Sequence, residues 1–130
     1  MAMAAGSATL KYIKEHDVLS HVEKVGAKLM QELQDIQEHV PEIGDVRGRG
    51  LMIGAEIVAP HKKQNANGSY PADAELASVI QRKCFEKGLI VETGGRHGSV
   101  IRFLPPLIVT EAQIDDIITI FREAVYEAVK

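Results

Sequence analysis

The chain has 130 residues, of which 45% are hydrophobic and 25% are charged, and its formal net charge at pH 7 is −3. This composition is typical of a globular protein with one modest core, and the interspersed charges predict no surface for nucleic acid or for an anionic membrane. The one cysteine, Cys84, excludes an internal disulfide and predicts a reducing, cytoplasmic location. No apolar run is long enough to cross a bilayer, and no histidine has metal-ligand spacing.

Two helices are predicted in the first third of the chain. The alanine-rich segment from Ala2 to about Glu15 favours a short helix, and Asp17 can cap the helix that follows. Pro41 and Gly44 end that second helix. Its apolar residues recur at spacings of three and four and predict one core-facing stripe: Val18, Val22, Val25, Leu29, Leu33 and Ile36.

A strand is predicted over Val46–Val58, where the side chains alternate in character with a period of two. A phosphate-binding loop leads from a strand into a helix, whereas Gly48 and Gly50 precede a strand. The pattern therefore favours a bulge or a close approach of two backbones over a phosphate cradle. Arg47 and Arg49 are expected to face solvent or to pair with a neighbouring domain.

A loop, a helix and a hairpin are predicted next. Turn-forming residues dominate Ala59–Pro71 and predict a surface loop, after which Asp73 caps a third helix that ends at Gly88. The segments Leu89–Val91 and Val100–Leu104 are predicted to pair as an antiparallel hairpin. The residues that form its turn and tip are Gly94 to Ser99, with Arg96 and His97 in the middle.

Arg102 is a charged residue inside the second strand of this hairpin, where it shares a face with Val100 and Leu104. An arginine between apolar neighbours carries its guanidinium to water or to an anion, because an unpaired buried charge is costly. The planar guanidinium can donate two parallel hydrogen bonds to one carboxylate, and lysine cannot reproduce this bidentate geometry. Spacing alone leaves two interpretations open: a solvated edge-strand arginine or a carboxylate-binding residue.

The last part of the chain predicts a strand end and a well-capped helix. Pro105 and Pro106 end the strand because proline donates no ladder hydrogen bond, and Thr110 and Gln113 have the spacing of a capping box. The stripe of the helix is Ile114, Ile117, Ile118, Phe121, Val125 and Val129. The order helix, helix, strand, helix, strand, strand, helix predicts an α+β domain in which amphipathic helices cover a small antiparallel or mixed sheet.

Three segments of the sequence resemble the class III (ornithine/γ-aminobutyrate type) pyridoxal-phosphate aminotransferases. They are Ala2–Gly6, Val46–Glu56 and Gly94–Leu107, the last of which is similar to the C-terminal signature of that family. The Gly-Gly-Arg-His-Gly turn is most similar to the diaminobutyrate–2-oxoglutarate aminotransferases. The resemblance covers essentially the whole chain and implies the small C-terminal domain of a fold-type I enzyme. It also implies that Arg102 holds a carboxylate of the amino-acid or 2-oxo-acid substrate.

The resemblance implies an enzyme that moves the terminal amino group of L-2,4-diaminobutyrate to 2-oxoglutarate and yields aspartate semialdehyde and glutamate. Its cofactor would be pyridoxal 5'-phosphate, which a large domain holds in this family through a Schiff-base lysine, an acidic residue and a Ser/Thr segment. The resemblance assigns no catalytic and no cofactor-binding residue to this chain, and the isolated chain is expected to be inactive. The implied partners are that large domain, a second subunit of a homodimer, and small amino-acid and 2-oxo-acid substrates.

Residues Met1–Ala5 have the composition of a helix interior and include no capping residue. The resemblance to the class III aminotransferases implies that a glycine-rich segment precedes this helix. We therefore expect residues 1–130 to be one C-terminal domain, a fragment without its large domain. Ornithine, acetylornithine or γ-aminobutyrate stay open as substrates, as does a free-standing, non-catalytic module that binds amino acids. Arg96 and His97 are either ordinary polar residues of a hairpin tip or part of a substrate mouth beside Arg102.

Overall fold

A computed structural model describes every residue from Met1 to Lys130. Along the chain the elements are α1 (Ala2–Glu15), α2 (Val18–His39), β1 (Ile43–Arg49), β2 (Met52–Ile57), α3 (Ala74–Glu86), β3 (Glu92–Gly94), β4 (Val100–Phe103) and α4 (Glu111–Ala128). The four strands form one fully antiparallel sheet in the order β1-β2-β4-β3. This arrangement confirms the predicted α+β class. None of the four helices combines the length with the apolar character that a membrane-spanning segment requires.

The helices α2, α3 and α4 cover one face of the sheet and form the core with it. The predicted apolar stripes of α2 and α4 face the core, and most of their residues are buried. Val22, Ile117 and Val129 are only partly buried. Phe103 of β4 meets Phe121 of α4 edge to face, with ring centroids 5.0 Å apart. That geometry suits the aromatic quadrupoles and joins the two layers at the centre of the core.

The helix caps follow local sequence rules at two positions and depart from them at a third. Asp73 accepts a hydrogen bond from the Leu76 amide at 2.9 Å, and Thr110 forms the complete capping box with Gln113. Asp17 does occupy the cap position of α2, but its backbone is left-handed with φ 47° and it caps no amide. Its carboxylate accepts a hydrogen bond from the Ser20 hydroxyl instead, so the predicted backbone cap is wrong.

The segment predicted as one strand over residues 46–58 is in fact the greater part of a two-stranded hairpin, β1 and β2. Gly50 supplies the left-handed turn between the strands, with φ +56°. The pairing register shifts between Ile43 and Asp45, so the buried residues Ile43 and Val46 lie three positions apart. This bulge interrupts the period of two in β1, and the sequence pattern therefore does not reveal that strand.

The glycines of this hairpin serve close backbone approaches, which confirms the interpretation favoured over a phosphate cradle. A Cβ atom added at Gly48 would lie 2.2 Å from the Met52 carbonyl oxygen of the paired strand. A Cβ atom added at Gly26 of α2 would lie 2.3 Å from the Gly50 carbonyl oxygen. The turn thus packs directly on the backbone of α2.

The predicted strand over Leu89–Val91 is wrong, and β3 begins three residues later at Glu92. The backbone of the earlier segment is bonded to α3 instead. The Leu89 amide donates to the Cys84 carbonyl at 2.8 Å, and the Gln81 side chain donates to the Val91 carbonyl at 2.9 Å. The hairpin itself is confirmed, since β3 pairs with β4, and Arg96 and His97 lie in its turn.

Candidate functional site

The face of the sheet opposite the helices carries a transverse row of polar positions. Arg47 of β1 pairs with Gly54 of β2, Gly54 pairs with Arg102 of β4, and Arg102 pairs with Glu92 of β3. Residues directly opposite one another in a sheet place their side chains on the same face. Two arginines and a glutamate therefore stand on one surface that no helix of this chain covers.

Arg102 lies on this face as its strand period predicts, with Ile101 and Phe103 buried on the other side. Its Nη2 donates to Glu92 Oε2 at 3.2 Å, and its other guanidinium donors have no hydrogen-bond partner in the structure. The two side chains are 48% and 62% exposed, so their ion pair contributes about 0–1 kcal/mol. The guanidinium is thus positioned but largely free to bind an anion.

Gly94 provides the space that the Arg102 side chain occupies. A Cβ atom added at Gly94 would lie 2.7 Å from Nε and 2.8 Å from Cζ of Arg102. The guanidinium therefore lies over the backbone of β3, on the side of the sheet where Glu92 also stands. Any larger residue at position 94 would displace it.

An open cleft of about 330 Å³ contains both Arg102 and Glu92. Its other lining residues are apolar: Leu89, Ile90, Val91, Phe103, Leu104, Pro105, Pro106 and Ile117. The two prolines contribute no amide hydrogen, so this wall presents few competing donors beside the guanidinium. The arrangement suits a small carboxylate with an aliphatic chain.

Arg47 stands in the same row but is already neutralised. Its Nη1 donates to Asp45 Oδ2 at 2.6 Å and to Glu56 Oε2 at 2.7 Å. These hydrogen bonds, that to Asp45 first, raise the pKa of the Arg47 guanidinium above its ordinary value. Arg47 thus connects β1 to β2 while its side chain stays 54% exposed, and its pairing with a neighbouring domain stays a prediction.

Arg96 and His97 are exposed in the turn between Gly95 and Gly98, both of which have positive φ. Neither residue forms a hydrogen bond or an ion pair through its side chain, and neither lines the cleft that contains Arg102. The structure does not bring them together with Arg102. Their place in a substrate mouth stays a prediction.

Glu92 is the residue of this site that the sequence interpretation missed. Its strand was predicted three residues too early, and the cross-strand pair with Arg102 was therefore not visible. A glutamate ten positions before the arginine, with a turn between them, was the available signal.

Lys28 and Lys87 do not fit the Schiff-base role of pyridoxal phosphate. Such a lysine needs a desolvated pocket that lowers its pKa. The hydrogen bond to Asp115 raises the pKa of Lys28, and that to Glu127 raises the pKa of Lys87. No lysine lines the cleft beside Arg102. The structure therefore supports no role for these two lysines in the chemistry of the cofactor.

Two other kinds of site are not supported either. Burial raises the pKa of the Cys84 thiol to about 11, which leaves it protonated and inert at neutral pH. No group of three or more His, Cys, Asp or Glu side chains is placed to hold a metal ion. The carboxylate-binding potential of Arg102 is thus the principal chemistry of the described surface.

Comparisons with known proteins place this geometry in context. Residues 1–125 match the family model described as "Aminotransferase class-III". The chain is 44% identical over 117 residues to a diaminobutyrate–2-oxoglutarate aminotransferase of Rhizobium meliloti. The match covers 90% of this chain and 25% of that protein. It is 38% identical over 130 residues to the enzyme of the same name from Haemophilus influenzae, covering 100% of this chain and 29% of the relative.

A solved structure shows the same fold within a longer chain. A phospholyase from Arthrobacter, in complex with phosphoethanolamine, superimposes with a TM-score of 0.84 at 25% identity and covers 95% of this chain. The match covers 28% of the phospholyase chain. The chain therefore spans less than a third of the length of these relatives.

Proposed function

The chain belongs to the class III aminotransferase family, which uses pyridoxal phosphate, and on that premise we propose that it recognises the substrate carboxylate in a longer enzyme. That enzyme transfers the terminal amino group of L-2,4-diaminobutyrate to 2-oxoglutarate. The names of the relatives at 44% and 38% identity support this choice of substrates. The cofactor and its lysine belong to a large domain, which is the proposed partner of residues 1–130 together with a second subunit of a homodimer.

The observation that carries the proposal is the state of the Arg102 guanidinium. It lies on the uncovered face of the sheet, inside a mostly apolar cleft, with one hydrogen bond to an exposed glutamate. A substrate carboxylate can accept two parallel hydrogen bonds from the planar guanidinium, whereas Glu92 accepts one, through a single oxygen. The substrate carboxylate can therefore replace Glu92 as the partner of Arg102. Docking of a large domain over this face would exclude water and strengthen the contact.

The exposure of α1, which packs on α2, supports a further surface for a domain interface. None of its residues is buried, and its apolar residues include Met3 at 88% and Leu10 at 70% exposure. An amphipathic helix with no covered face is unusual in a protein that functions alone. We therefore assign α1 to the contact with the large domain.

The test is the substitution Arg102→Lys in the full-length enzyme, with Arg96→Lys as the matched control on the exposed hairpin tip. Lysine keeps the charge and loses the fork, and truncation of such a charge pair costs about 2–5 kcal/mol, or roughly 30-fold to several-thousand-fold in kcat/KM. We expect that loss in single-turnover reactions with 2-oxoglutarate or glutamate. The absorbance of the bound cofactor should not change, and Arg96→Lys should match the parent enzyme.

If Arg102→Lys reacts at rates within twofold of the parent enzyme, Arg102 does not bind the substrate carboxylate. It would then be a strand residue whose side chain is simply solvated. A loss for Arg96→Lys of the same size would instead include the hairpin tip in the substrate mouth. A donor panel of diaminobutyrate, ornithine, acetylornithine and γ-aminobutyrate identifies the substrate. A full-length protein that transaminates none of them, yet binds one of them, would establish the non-catalytic module in place of the enzyme.

A further inference from the structure

We propose that Asn67 is a site of spontaneous covalent modification, at which the side-chain amide becomes aspartate or isoaspartate through a cyclic imide with the Gly68 nitrogen. The site lies in the exposed loop between β2 and α3 and shares no residue with the cleft that contains Arg102. The inference is independent of the proposed function, because it follows from the geometry of residues 65–69 alone.

The residue that follows Asn67 leaves its backbone nitrogen open to attack the side chain. Gly68 has φ +81°, and a Cβ atom added to it would meet no other atom within 4 Å. Because residue 68 carries no Cβ atom and its surroundings are empty, nothing hinders the approach of its nitrogen to the amide carbon of Asn67. Both residues are exposed, so water also reaches the site.

A tight turn folds the Asn67 side chain back over the Gly68 amide. Asn67 Oδ1 accepts a hydrogen bond from the Ser69 backbone amide at 3.2 Å. Such a bond from two residues further along the chain closes an Asx turn, in which the side-chain carbonyl takes the place of a backbone carbonyl. The turn holds the electrophilic Cγ atom on the side of the attacking nitrogen, which shortens the search for the reactive geometry.

A second donor polarises the same side-chain carbonyl. The Ser69 hydroxyl donates to Asn67 Oδ1 at 2.8 Å, and Asn65 Nδ2 donates in turn to the Ser69 hydroxyl oxygen at 3.4 Å. Two donors on one amide oxygen stabilise the negative charge that develops there during attack, as the donors of an oxyanion hole do. Asn65, the other asparagine of the chain, has no donor on its own Oδ1 and is followed by Ala66.

One backbone hydrogen bond opposes the reaction. The Gly68 amide donates to the Asn65 carbonyl at 2.9 Å, and this bond must open before the nitrogen loses its proton. All residues from position 61 to position 70 are exposed, and backbone bonds in such loops open locally at little cost. The bond on the nitrogen is therefore a small barrier beside the two donors that activate the carbonyl.

The reaction needs no reagent other than water. A water or hydroxide removes the proton of the Gly68 amide, the nitrogen forms a bond to Cγ of Asn67, and the Cγ–Nδ2 bond breaks as Nδ2 takes up a proton and leaves as ammonia. A water molecule then opens the cyclic imide at either of its two carbonyls. One opening gives aspartate, and the other gives isoaspartate, in which the main chain is longer by one carbon. Both products add a negative charge to the loop.

The experiment incubates the full-length protein at a mildly alkaline pH and follows the peptide that contains both asparagines by chromatography and tandem mass spectrometry. We expect the Asn67 amide to become a carboxylic acid several times faster than the Asn65 amide, with two separable products of equal mass. Ser69→Ala removes the hydroxyl donor and should slow the conversion about 2- to 10-fold, the effect of one hydrogen bond. The matched control Ser20→Ala removes a hydroxyl that bonds to Asp17 outside the loop and should leave the rate unchanged.

The same two variants are also incubated in guanidinium chloride, where the turn is absent and Ser69→Ala should have no effect. If Asn67 converts no faster than Asn65 in the folded protein, or converts only after unfolding, the turn protects the amide and the proposal is overturned. Equal rates for Ser69→Ala and the parent in the folded state would overturn it too, because the loop then contributes nothing. A single product in place of the two isomers would exclude the cyclic imide and refute the proposal.

Discussion

Two glycine-to-alanine substitutions should separate the substrate site from the stability of the fold. Gly94 and Gly26 would both give an added Cβ atom a contact shorter than 3 Å, but the atoms contacted differ. At Gly94 they belong to the distal part of the flexible Arg102 side chain, at 2.7 Å and beyond. At Gly26 they belong to the backbone of Gly50, whose carbonyl oxygen would be 2.3 Å away.

The magnitudes follow from what each neighbour can do. Arg102 can rotate away, which costs at most its exposed ion pair of about 0–1 kcal/mol. Alanine recovers about 0.4–1 kcal/mol by restricting the unfolded chain, so Gly94→Ala should change the free energy of unfolding by less than about 1 kcal/mol. The Gly50 backbone cannot rotate away from α2, and overpacking there costs about 1–3 kcal/mol. Against a gain in helix propensity of about 1 kcal/mol, Gly26→Ala should destabilise the fold by up to about 2 kcal/mol.

The assays are urea unfolding followed by far-UV circular dichroism and single-turnover reaction of the full-length enzyme with 2-oxoglutarate. Gly94→Ala should lose most of the kcat/KM that Arg102→Lys loses, because it displaces the same guanidinium, and its unfolding midpoint should hardly move. Gly26→Ala should show the reverse: a lower midpoint and, while it stays folded, parental turnover. Gly94→Ala with parental kinetics would refute the assigned position of the guanidinium, and an unaltered midpoint for Gly26→Ala would refute the close packing of the turn on α2.

Two further predictions concern the last helix and the cofactor. Thr110→Ala removes the capping box of α4 and should lower the free energy of unfolding by about 1 kcal/mol. Urea unfolding midpoints of the two forms measure this change. If the midpoints coincide, Thr110 is not the cap. Residues 1–130 alone, titrated with pyridoxal phosphate, should give no saturable absorbance of a protonated Schiff base, because carboxylates raise the pKa of Lys28 and Lys87 and no lysine lines the cleft. A stoichiometric band that one lysine substitution abolishes would contradict this expectation.

Sequence reasoning succeeded where the interacting residues lie within one helical turn or alternate along one strand. The capping box joins Thr110 to Gln113, three positions apart, and the stripe of α2 depends only on the helical period. The same local rule correctly put Arg102 on the face opposite Ile101 and Phe103. In each case the physical cause is contained in a few consecutive residues.

The tertiary structure decided which strands pair and which charges meet. A bulge in β1 removed the alternation that would have revealed the strand, and bonds from Leu89 and Val91 to α3 moved the start of β3 to Glu92. The contact between Arg102 and Glu92 depends on that register, since a shift by one residue would turn Glu92 to the other face. The sequence by itself determined the helices, the cap of α4 and the face of Arg102. The partner of that arginine, Glu92, lies ten positions earlier and was decided by the register of β3 against β4. That register depends on the hydrogen bonds that tie residues 89–91 to α3, and these are not visible in the local sequence.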